Sequence, residues 1–280
     1  AFAGRAGGDW VGRCAEFSGA GAPQELPPIY VPEAFREWGY ALYDWQTHCA
    51  SEVDPAGLTQ TVRRMVPLAA CEAVSTEALS STARVLEAAE TVTPEGAYSA
   101  GPERLEPEGP EARVEACLPG LQGEERRVRV VLHVAHNARE GRWVLRKVEV
   151  HAEEAFVPTA CCEDPLDDRV QLDGTDFAQT DRLDVEGMLA GRWGGFDGSV
   201  FLLSGGGLEL SPDAAHMYPP LDAEGVVGLP LGVWARVQAS GESLVVEAGR
   251  VQGDRRSFAQ RVYRGSRLER VVLGSEANDS

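Results

Sequence analysis

Gly191-Arg192-Trp193-Gly194-Gly195 repeats the pattern of Gly8-Asp9-Trp10-Val11-Gly12, in which a tryptophan has a glycine two positions away on either side. Each stretch opens one half of the chain. In small β-barrels, glycines permit a tight bend at the start of the first strand, and an indole there fills one end of the barrel. We therefore predict two related barrels, one closed by Trp10 and the other by Trp193.

The ends of the two halves also match. Leu145-Arg146-Lys147-Val148-Glu149-Val150 corresponds to Leu268-Glu269-Arg270-Val271-Val272-Leu273, and each stretch is soon followed by a Glu-Ala pair, Glu154-Ala155 and Glu276-Ala277. Two halves that begin alike and end alike indicate an internal duplication.

Short strand patterns separated by glycine and proline turns fill the chain between these ends. The clearest is a hairpin, in which Arg126–His136 and Arg142–Ala152 alternate between apolar and polar residues around a turn at 137–141. Many short strands with regular turns are typical of barrels and sandwiches. The predicted fold class is therefore all-β and mainly antiparallel, with two tandem barrels.

Composition divides the chain into three parts. We predict a first barrel over residues 1–160, an acidic linker over 161–184 and a second barrel over 185–280. Residues 72–92 are rich in alanine and glutamate and fit a short helix in the first barrel as well as they fit a strand.

The net charge of −18 opposes binding to nucleic acid or to anionic membrane surfaces. No apolar run is long enough to cross a bilayer, so we expect a soluble or peripheral protein without a transmembrane segment. Six cysteines in 280 residues are too few for a disulfide scaffold and favour a reducing compartment. The first residues, Ala1 to Ala6, suggest the remnant of an organelle-targeting segment.

The most aromatic stretch, residues 30–49, is the best candidate for a binding site. Helical and strand spacing both fit it, and the aromatic content and Gly39 favour a strand. Its aromatic side chains would either line a cavity for a flat apolar ligand or fill the barrel, with basic partners for a ligand carboxylate. The candidate ligand-binding residues are Arg36, Trp38, Tyr40, Tyr43, Trp45 and His48.

No catalytic group and no metal site is predicted. His133 and His136 lie three residues apart and would point to opposite faces of a strand, so they cannot bind one ion. The adjacent Cys161 and Cys162 are interpreted as free thiols. Ser204–Gly207 lacks the lysine of a phosphate-binding loop and is interpreted as a turn.

The first half resembles an uncharacterised lipocalin-like (calycin) family of cyanobacteria and chloroplasts. The residues that carry the resemblance are the Gly-x-Trp-x-Gly stretch, Leu26–Pro32, Phe35–Trp38 and the Tyr43-Asp44-Trp45-Gln46-Thr47-x-Cys49 motif. Gln260–Gly265 and the strand that follows are similar to the closing strands of that family and of the lipocalin-fold phycobilin lyases. The resemblance implies lipocalin-like barrels, a photosynthetic organelle, and handling of a tetrapyrrole, carotenoid or lipid.

Three functions follow from these expectations. The first is a non-catalytic plastid protein, in the stroma or lumen or peripheral to the thylakoid, that binds a hydrophobic or tetrapyrrole ligand. The second is a structural or assembly subunit that docks on a photosynthetic membrane complex through its aromatic loops. The third is a bilin chromophore lyase. Fold analogy alone does not choose among them.

Overall fold

The protein is known from a computed structural model, which describes residues 3–66, 77–87, 91–120, 125–157, 176–204, 207–211 and 221–278. The predicted all-β class is confirmed, since two antiparallel sheets hold most of the described residues. Three short α-helices accompany the sheets: α1 (Ala3–Ala6), α2 (Glu33–Glu37) and α3 (Val185–Ala190). None of the described helices could span a bilayer.

The first sheet has eight strands in the order β4-β3-β2-β1-β8-β7-β6-β5. The first strand, β1, pairs with both β2 and the last strand, β8, and the open edges of the curled sheet are β4 and β5. Its strands are β1 (Gly8–Ser18), β2 (Asp44–Asp54), β3 (Gly57–Met65), β4 (Glu77–Glu87), β5 (Tyr98–Ala100), β6 (Ala112–Pro119), β7 (Arg126–Asn137) and β8 (Arg142–Ala155).

The second sheet repeats this connectivity with seven strands in the order β10-β9-β15-β14-β13-β12-β11. Its first strand, β9, again pairs with the next strand and with the last. Its strands are β9 (Trp193–Ser204), β10 (Gly207–Ser211), β11 (Val226–Gly228), β12 (Val233–Ser240), β13 (Ser243–Gln252), β14 (Arg255–Arg264) and β15 (Arg267–Asn278).

The largest apolar core lies between the two sheets. Successive side chains of a strand point to opposite faces, so one face of β7 carries Val128, Val130, Leu132 and Val134, all buried. These residues belong to one cluster with residues of the second half such as Val246. Strand β6 packs against β13 and β14, and β8 packs against β12. The outer faces of the two halves therefore form the main core.

The predicted hairpin is confirmed, because β7 and β8 pair around the turn at 138–141. Where the structure describes residues 72–92, they form strand β4 and not a helix. The aromatic stretch is mixed, with helix α2 followed by strand β2. The expected boundaries of 1–160, 161–184 and 185–280 stay predictions, and residues 158–175 lie outside the described part of the chain.

The two motif glycines of β1 have different structural tasks. Gly8 has a φ of +100°, in the left-handed region that favours glycine. Gly12 lies against β8 so closely that a Cβ atom there would collide with the carbonyl oxygen of Ala152. The close approach of β1 and β8, the first and last strands of this sheet in chain order, therefore depends on glycine at position 12.

We predict that Gly12→Ala destabilises the protein by about 2–4 kcal/mol, because the methyl group would force β1 away from the backbone of β8. Gly4→Ala is the control, since nothing lies within 4 Å of a Cβ atom at that position. Urea denaturation followed by far-UV circular dichroism measures both. Equal stability of the two variants would contradict this account of Gly12.

Candidate functional site

The interior of the first half is charged, in contrast to the core outside it. Arg127 and Arg129 alternate with the valines of β7 and therefore face inward, where both meet Glu153 of β8. Arg127 Nε donates to Glu153 at 2.6 Å and Arg129 Nη2 donates to it at 2.7 Å. All three side chains are buried. The two guanidinium charges hold the pKa of Glu153 well below its ordinary value, although burial opposes this.

A second buried carboxylate, Glu115 of β6, continues the network. It accepts hydrogen bonds from Tyr98 Oη at 2.6 Å and from Arg129 Nη1 at 3.0 Å. Gln60 of β3 contacts both donors, since its amide nitrogen donates to Tyr98 and its oxygen accepts from Arg129. Burial alone would raise the pKa of Glu115, but the charges of Arg129 and Arg113 outweigh this effect, so the pKa is lowered. Five strands, β3, β5, β6, β7 and β8, are thus joined by one polar network through the middle of the first half.

The motif tryptophans lie in equivalent surroundings in the two halves. Trp10 is buried with the Arg127 guanidinium 4.0 Å from its ring centre, and Trp193 has Arg256 at 4.9 Å. Arg256 pairs with Glu276 at 2.6 Å across β14 and β15, as Arg127 pairs with its glutamate across β7 and β8. The same Trp-Arg-Glu stack therefore occupies one end of each sheet, and closure of a barrel end by either tryptophan stays a prediction.

The inner carboxylate is repeated as well. Glu247 of β13 accepts hydrogen bonds from Trp234 Nε1 at 2.9 Å, from Arg236 at 2.7 Å and from Gln260 at 2.7 Å. Trp234 lies on β12, the strand before that of Glu247, just as Tyr98 lies on β5, the strand before that of Glu115. Both donors are fully buried. In the described part of the second half, these residues leave a cavity of only about 10 Å³ beside them.

One group of described residues brings three metal-binding atom types together. Ligand atoms of Cys14, Glu149 and His151 lie within 4.8 Å of one another, and all three residues are buried. Arg129 donates to His151 Nδ1 at 3.3 Å, which leaves the proton of the neutral imidazole on Nε2, 3.5 Å from Cys14 Sγ. Burial, followed by the charge of Arg129, lowers the pKa of His151 to about 4.

Cations already surround this group. Glu149 binds Arg64 at 2.5 Å, His133 at 2.8 Å and Lys147 at 3.1 Å. Although burial opposes it, the hydrogen bond from His133 and the charge of Arg64 hold the pKa of Glu149 well below its ordinary value. A metal ion would have to displace these partners and enter a field of positive charge, so the three residues fit an internal ion network better than a metal centre.

Three thiols in the first half are buried: Cys14, Cys49 and Cys117. Burial raises the pKa of Cys14 and of Cys117 to about 12, and it raises that of Cys49. At neutral pH these groups are therefore protonated and poor nucleophiles. Cys71, Cys161 and Cys162 lie outside the described residues.

The six candidate binding residues do not line a common cavity. Residues 26–42, here called the cap, cover the end of the first half where Trp45 is buried. Three candidates lie on the outside of the cap: Arg36 is exposed, Trp38 is 55% exposed and Tyr40 is 65% exposed. Ile29, also in the cap, is 85% exposed.

The other three candidates, Tyr43, Trp45 and His48, lie in or directly before β2 and do not share one site. His48 points to the face of β2 opposite Trp45, where it contacts Asp9 at 2.7 Å. Tyr43 packs partly buried against the core between the halves. Trp45 contacts Tyr30 of the cap edge to face, with ring centres 5.4 Å apart. Trp45 is buried beneath the cap, so the exposed candidates and the buried ones do not form one binding surface.

A cavity, here called the mouth, lies at the other end of the first half. It has a volume of about 560 Å³ and includes the buried Trp10-Arg127 stack in its wall. Arg5 and Arg126 also line it, and so do the carboxylates Glu95 and Glu125. Proline, glycine, alanine and cysteine residues supply the rest: Gly4, Gly7, Pro94, Gly96, Cys117, Pro119, Gly120 and Ala155.

The charged interior was not predicted, although an alternation of charged and apolar residues is visible in the sequence. Arg127 and Arg129 alternate with valines, and Glu149, His151 and Glu153 alternate with Val150 and Ala152. Alternation assigns these groups to one face of the hairpin. It does not say that this face is the inner one, because an outer, solvated face gives the same pattern.

These features define an all-β protein of two tandem barrel-like halves with salt-bridged interiors. No family model and no curated protein matches the sequence. The chain is similar to the solved structure of a protein of unknown function from the DUF3598 family of Nostoc punctiforme, with 18% identity and a TM-score of 0.56. The match covers 99% of this chain and 97% of the other. The expected likeness to a cyanobacterial protein is confirmed for the all-β fold, and the lipocalin-like assignment stays a prediction.

We predict that Glu153→Gln destabilises the protein by about 3 kcal/mol or more, because two buried guanidinium groups would lose their shared negative charge. The neighbouring Glu154→Gln is the matched control. Glu154 is exposed and lies 3.7 Å from the exposed Arg126, so its loss should change stability by less than about 0.5 kcal/mol. Thermal and urea unfolding measure both variants, and a large loss in the control would show that the network is not the cause.

A pair of carboxylates fixes the chain before the second half to β2. Buried Asp44 accepts hydrogen bonds from the backbone N–H groups of Phe177 at 2.7 Å and Ala178 at 3.3 Å, and Asp176 accepts one from Tyr43 at 2.9 Å. Burial, followed by the charge of Asp176, raises the pKa of Asp44 to about 7. The end of the expected acidic linker is thus docked on the first half.

The raised pKa of Asp44 makes this contact pH-dependent. The folded state binds a proton that the unfolded state has released, so stability falls as pH rises from about 4 to about 7. We predict that the stability of the wild type relative to Asp44→Asn falls by up to about 1.4 kcal/mol per pH unit in that window. Urea unfolding of both proteins at pH 5, 6, 7 and 8 measures the difference, and a constant difference would refute the shift.

Proposed function

We propose that this protein is a non-catalytic, lipocalin-like binding protein that holds a tetrapyrrole at the mouth of its first half, in a plastid or another photosynthetic compartment. The observation that carries the proposal is the mouth itself. Its volume of about 560 Å³ lies within the range of about 300–1,000 Å³ that small-molecule sites have. The filled interiors favour a site at an end of the barrel over a site inside it.

The chemistry of the mouth favours a tetrapyrrole over a carotenoid or a simple lipid. Arg5 and Arg126 offer donors to acidic groups, while Glu95 and Glu125 offer acceptors. A tetrapyrrole with propionate side chains satisfies both, because it carries carboxylates and pyrrole N–H groups on a flat apolar frame. A carotenoid hydrocarbon chain satisfies neither, and a fatty acid satisfies only the arginines. Likeness in fold to a cyanobacterial protein supports the photosynthetic setting.

A second function, as a structural or assembly subunit of a photosynthetic complex, is favoured by the cap. Phe35, Trp38 and Tyr40 form a chain of edge-to-face aromatic contacts, and Trp38 and Tyr40 are more than half exposed. Exposed aromatic residues are enriched where proteins bind one another. This surface is separate from the mouth, so the two functions make different predictions.

We predict that Arg126→Glu weakens biliverdin binding at least tenfold, because a charge-assisted hydrogen bond is replaced by repulsion. Visible absorbance and quenching of tryptophan fluorescence measure the affinity. Arg139→Glu is the matched control, since Arg139 is an exposed arginine at the far end of β7. Trp38→Ser with Tyr40→Ser tests the cap and should leave biliverdin binding unchanged.

Three results would count against the proposal. Absence of biliverdin binding at about 100 μM would refute the tetrapyrrole site. Equal affinity of Arg126→Glu and the wild type would place the ligand elsewhere. Tighter binding of a fatty acid than of biliverdin, with the same dependence on Arg126, would assign the mouth to lipid.

A further inference from the structure

A second cavity opens at the side of the first half, where β4 and β5 do not pair. This side cleft has a volume of about 510 Å³ and shares no lining residue with the mouth. Its walls come from both halves, since Arg84 and Arg113 belong to the first half and Leu208 and Arg261 to the second. The cleft thus lies where the two halves meet.

Arg261 is unusual among the buried arginines that the structure describes. Four of them, Arg127, Arg129, Arg236 and Arg256, each have a carboxylate oxygen within 2.7 Å. Arg261 is equally buried, at 3% exposure, but its described partners are uncharged oxygens. They are the carbonyls of Ser99 (3.4 Å), Gly101 (2.9 Å) and Pro102 (3.5 Å) and the hydroxyl of Tyr263 (3.1 Å).

A buried positive charge without a negative partner is costly, because neutral oxygens compensate only part of the lost hydration. Arg261 Nη1 has a single described acceptor, at 3.4 Å, so one of its two N–H groups is still available. Gly101 leaves room beside the Arg261 guanidinium, since a Cβ atom at position 101 would lie 3.2 Å from Arg261 Nε. The guanidinium therefore offers both charge and a donor to the cleft.

Two further arginines, Arg84 and Arg113, line the same cleft. Arg84 is 38% exposed and is 3.6 Å from Asp54, and Arg113 is 46% exposed and donates to Glu115 at 3.1 Å. Glu115 lines the cleft but is already neutralised by Arg113 and Arg129. Glu103 is the one other described carboxylate in the lining. Three arginines thus line one cleft in a chain whose net charge is −18.

We propose that the side cleft binds the oxyanion of a small organic molecule, a carboxylate or a phosphate, with Arg261 as its buried partner and Arg84 and Arg113 as its outer ones. Guanidinium groups recognise both oxyanions through paired N–H donors. The apolar lining residues Val85, Leu86 and Leu208 favour an anion attached to a hydrocarbon group over a free inorganic ion. This site is independent of the tetrapyrrole site at the mouth.

Isothermal titration calorimetry at constant ionic strength tests the proposal with three probes: inorganic phosphate, phenyl phosphate and benzoate. We expect phenyl phosphate or benzoate to bind at least tenfold more tightly than inorganic phosphate, because only the organic anions contact the apolar walls. The two organic probes also decide whether the oxyanion is a phosphate or a carboxylate. Arg84→Gln combined with Arg113→Gln should weaken binding at least tenfold, and both side chains are partly exposed, so the fold should survive.

Arg139→Gln is the matched control and should bind like the wild type. Arg261→Met should abolish binding, and its circular dichroism spectrum shows whether it remains folded. Arg126→Glu should keep full anion binding even if it loses biliverdin, which separates this site from the proposed function. Absence of heat at 10 mM of every probe, or equal affinity of the double variant and the wild type, would overturn the proposal.

Discussion

The structure depends on the alternation of side chains along β7 and β8, which gives each strand one apolar face and one charged face. The apolar faces meet the second half, so the charged faces must lie inside the first half, away from water. Burying the guanidinium groups of Arg127 and Arg129 is costly, and the carboxylates Glu153 and Glu115 beside them offset this cost. The interior is therefore filled with ion pairs, and space for ligands is left at an end of the sheet and at its unpaired edges.

The duplication suggested by the two Gly-x-Trp-x-Gly stretches extends into the interior. Both halves keep the stack of tryptophan, arginine and glutamate, and both keep an inner glutamate that accepts from a buried aromatic donor. The donor itself differs, with Tyr98 in one half and Trp234 in the other. Hydrogen-bonding function has thus been retained where residue identity has not, which explains why the sequence repeat is visible only at the ends of each half.

Local patterns were enough to predict the strands, but not which side chains meet. The hairpin of β7 and β8 follows from alternation and a five-residue turn, which are properties of neighbouring residues. The pairing of Arg129 with Glu153 depends on strand register, and a bulge between His133 and Val134 shifts that register. The short helix α2 likewise changes the phase of the aromatic stretch, so Trp38 lies outside while Trp45 is buried. The cavities at the mouth and the side cleft are lined by residues distant in sequence, and no spacing rule brings these residues together.

The way the halves pack has a consequence for their origin. In the strand orders of the two sheets, β6 corresponds to β13, β8 to β15 and β5 to β12. Strand β6 contacts its counterpart β13. Strand β8 contacts β12, and the corresponding pair, β15 and β5, is also in contact. This reciprocity is what an approximate two-fold axis produces between identical subunits. A single ancestral copy would have exposed the same valine-rich face to water, and pairing with a second copy would have covered it. Fusion of two such copies into one chain would make the association of a homodimer permanent and would free the two interiors to diverge.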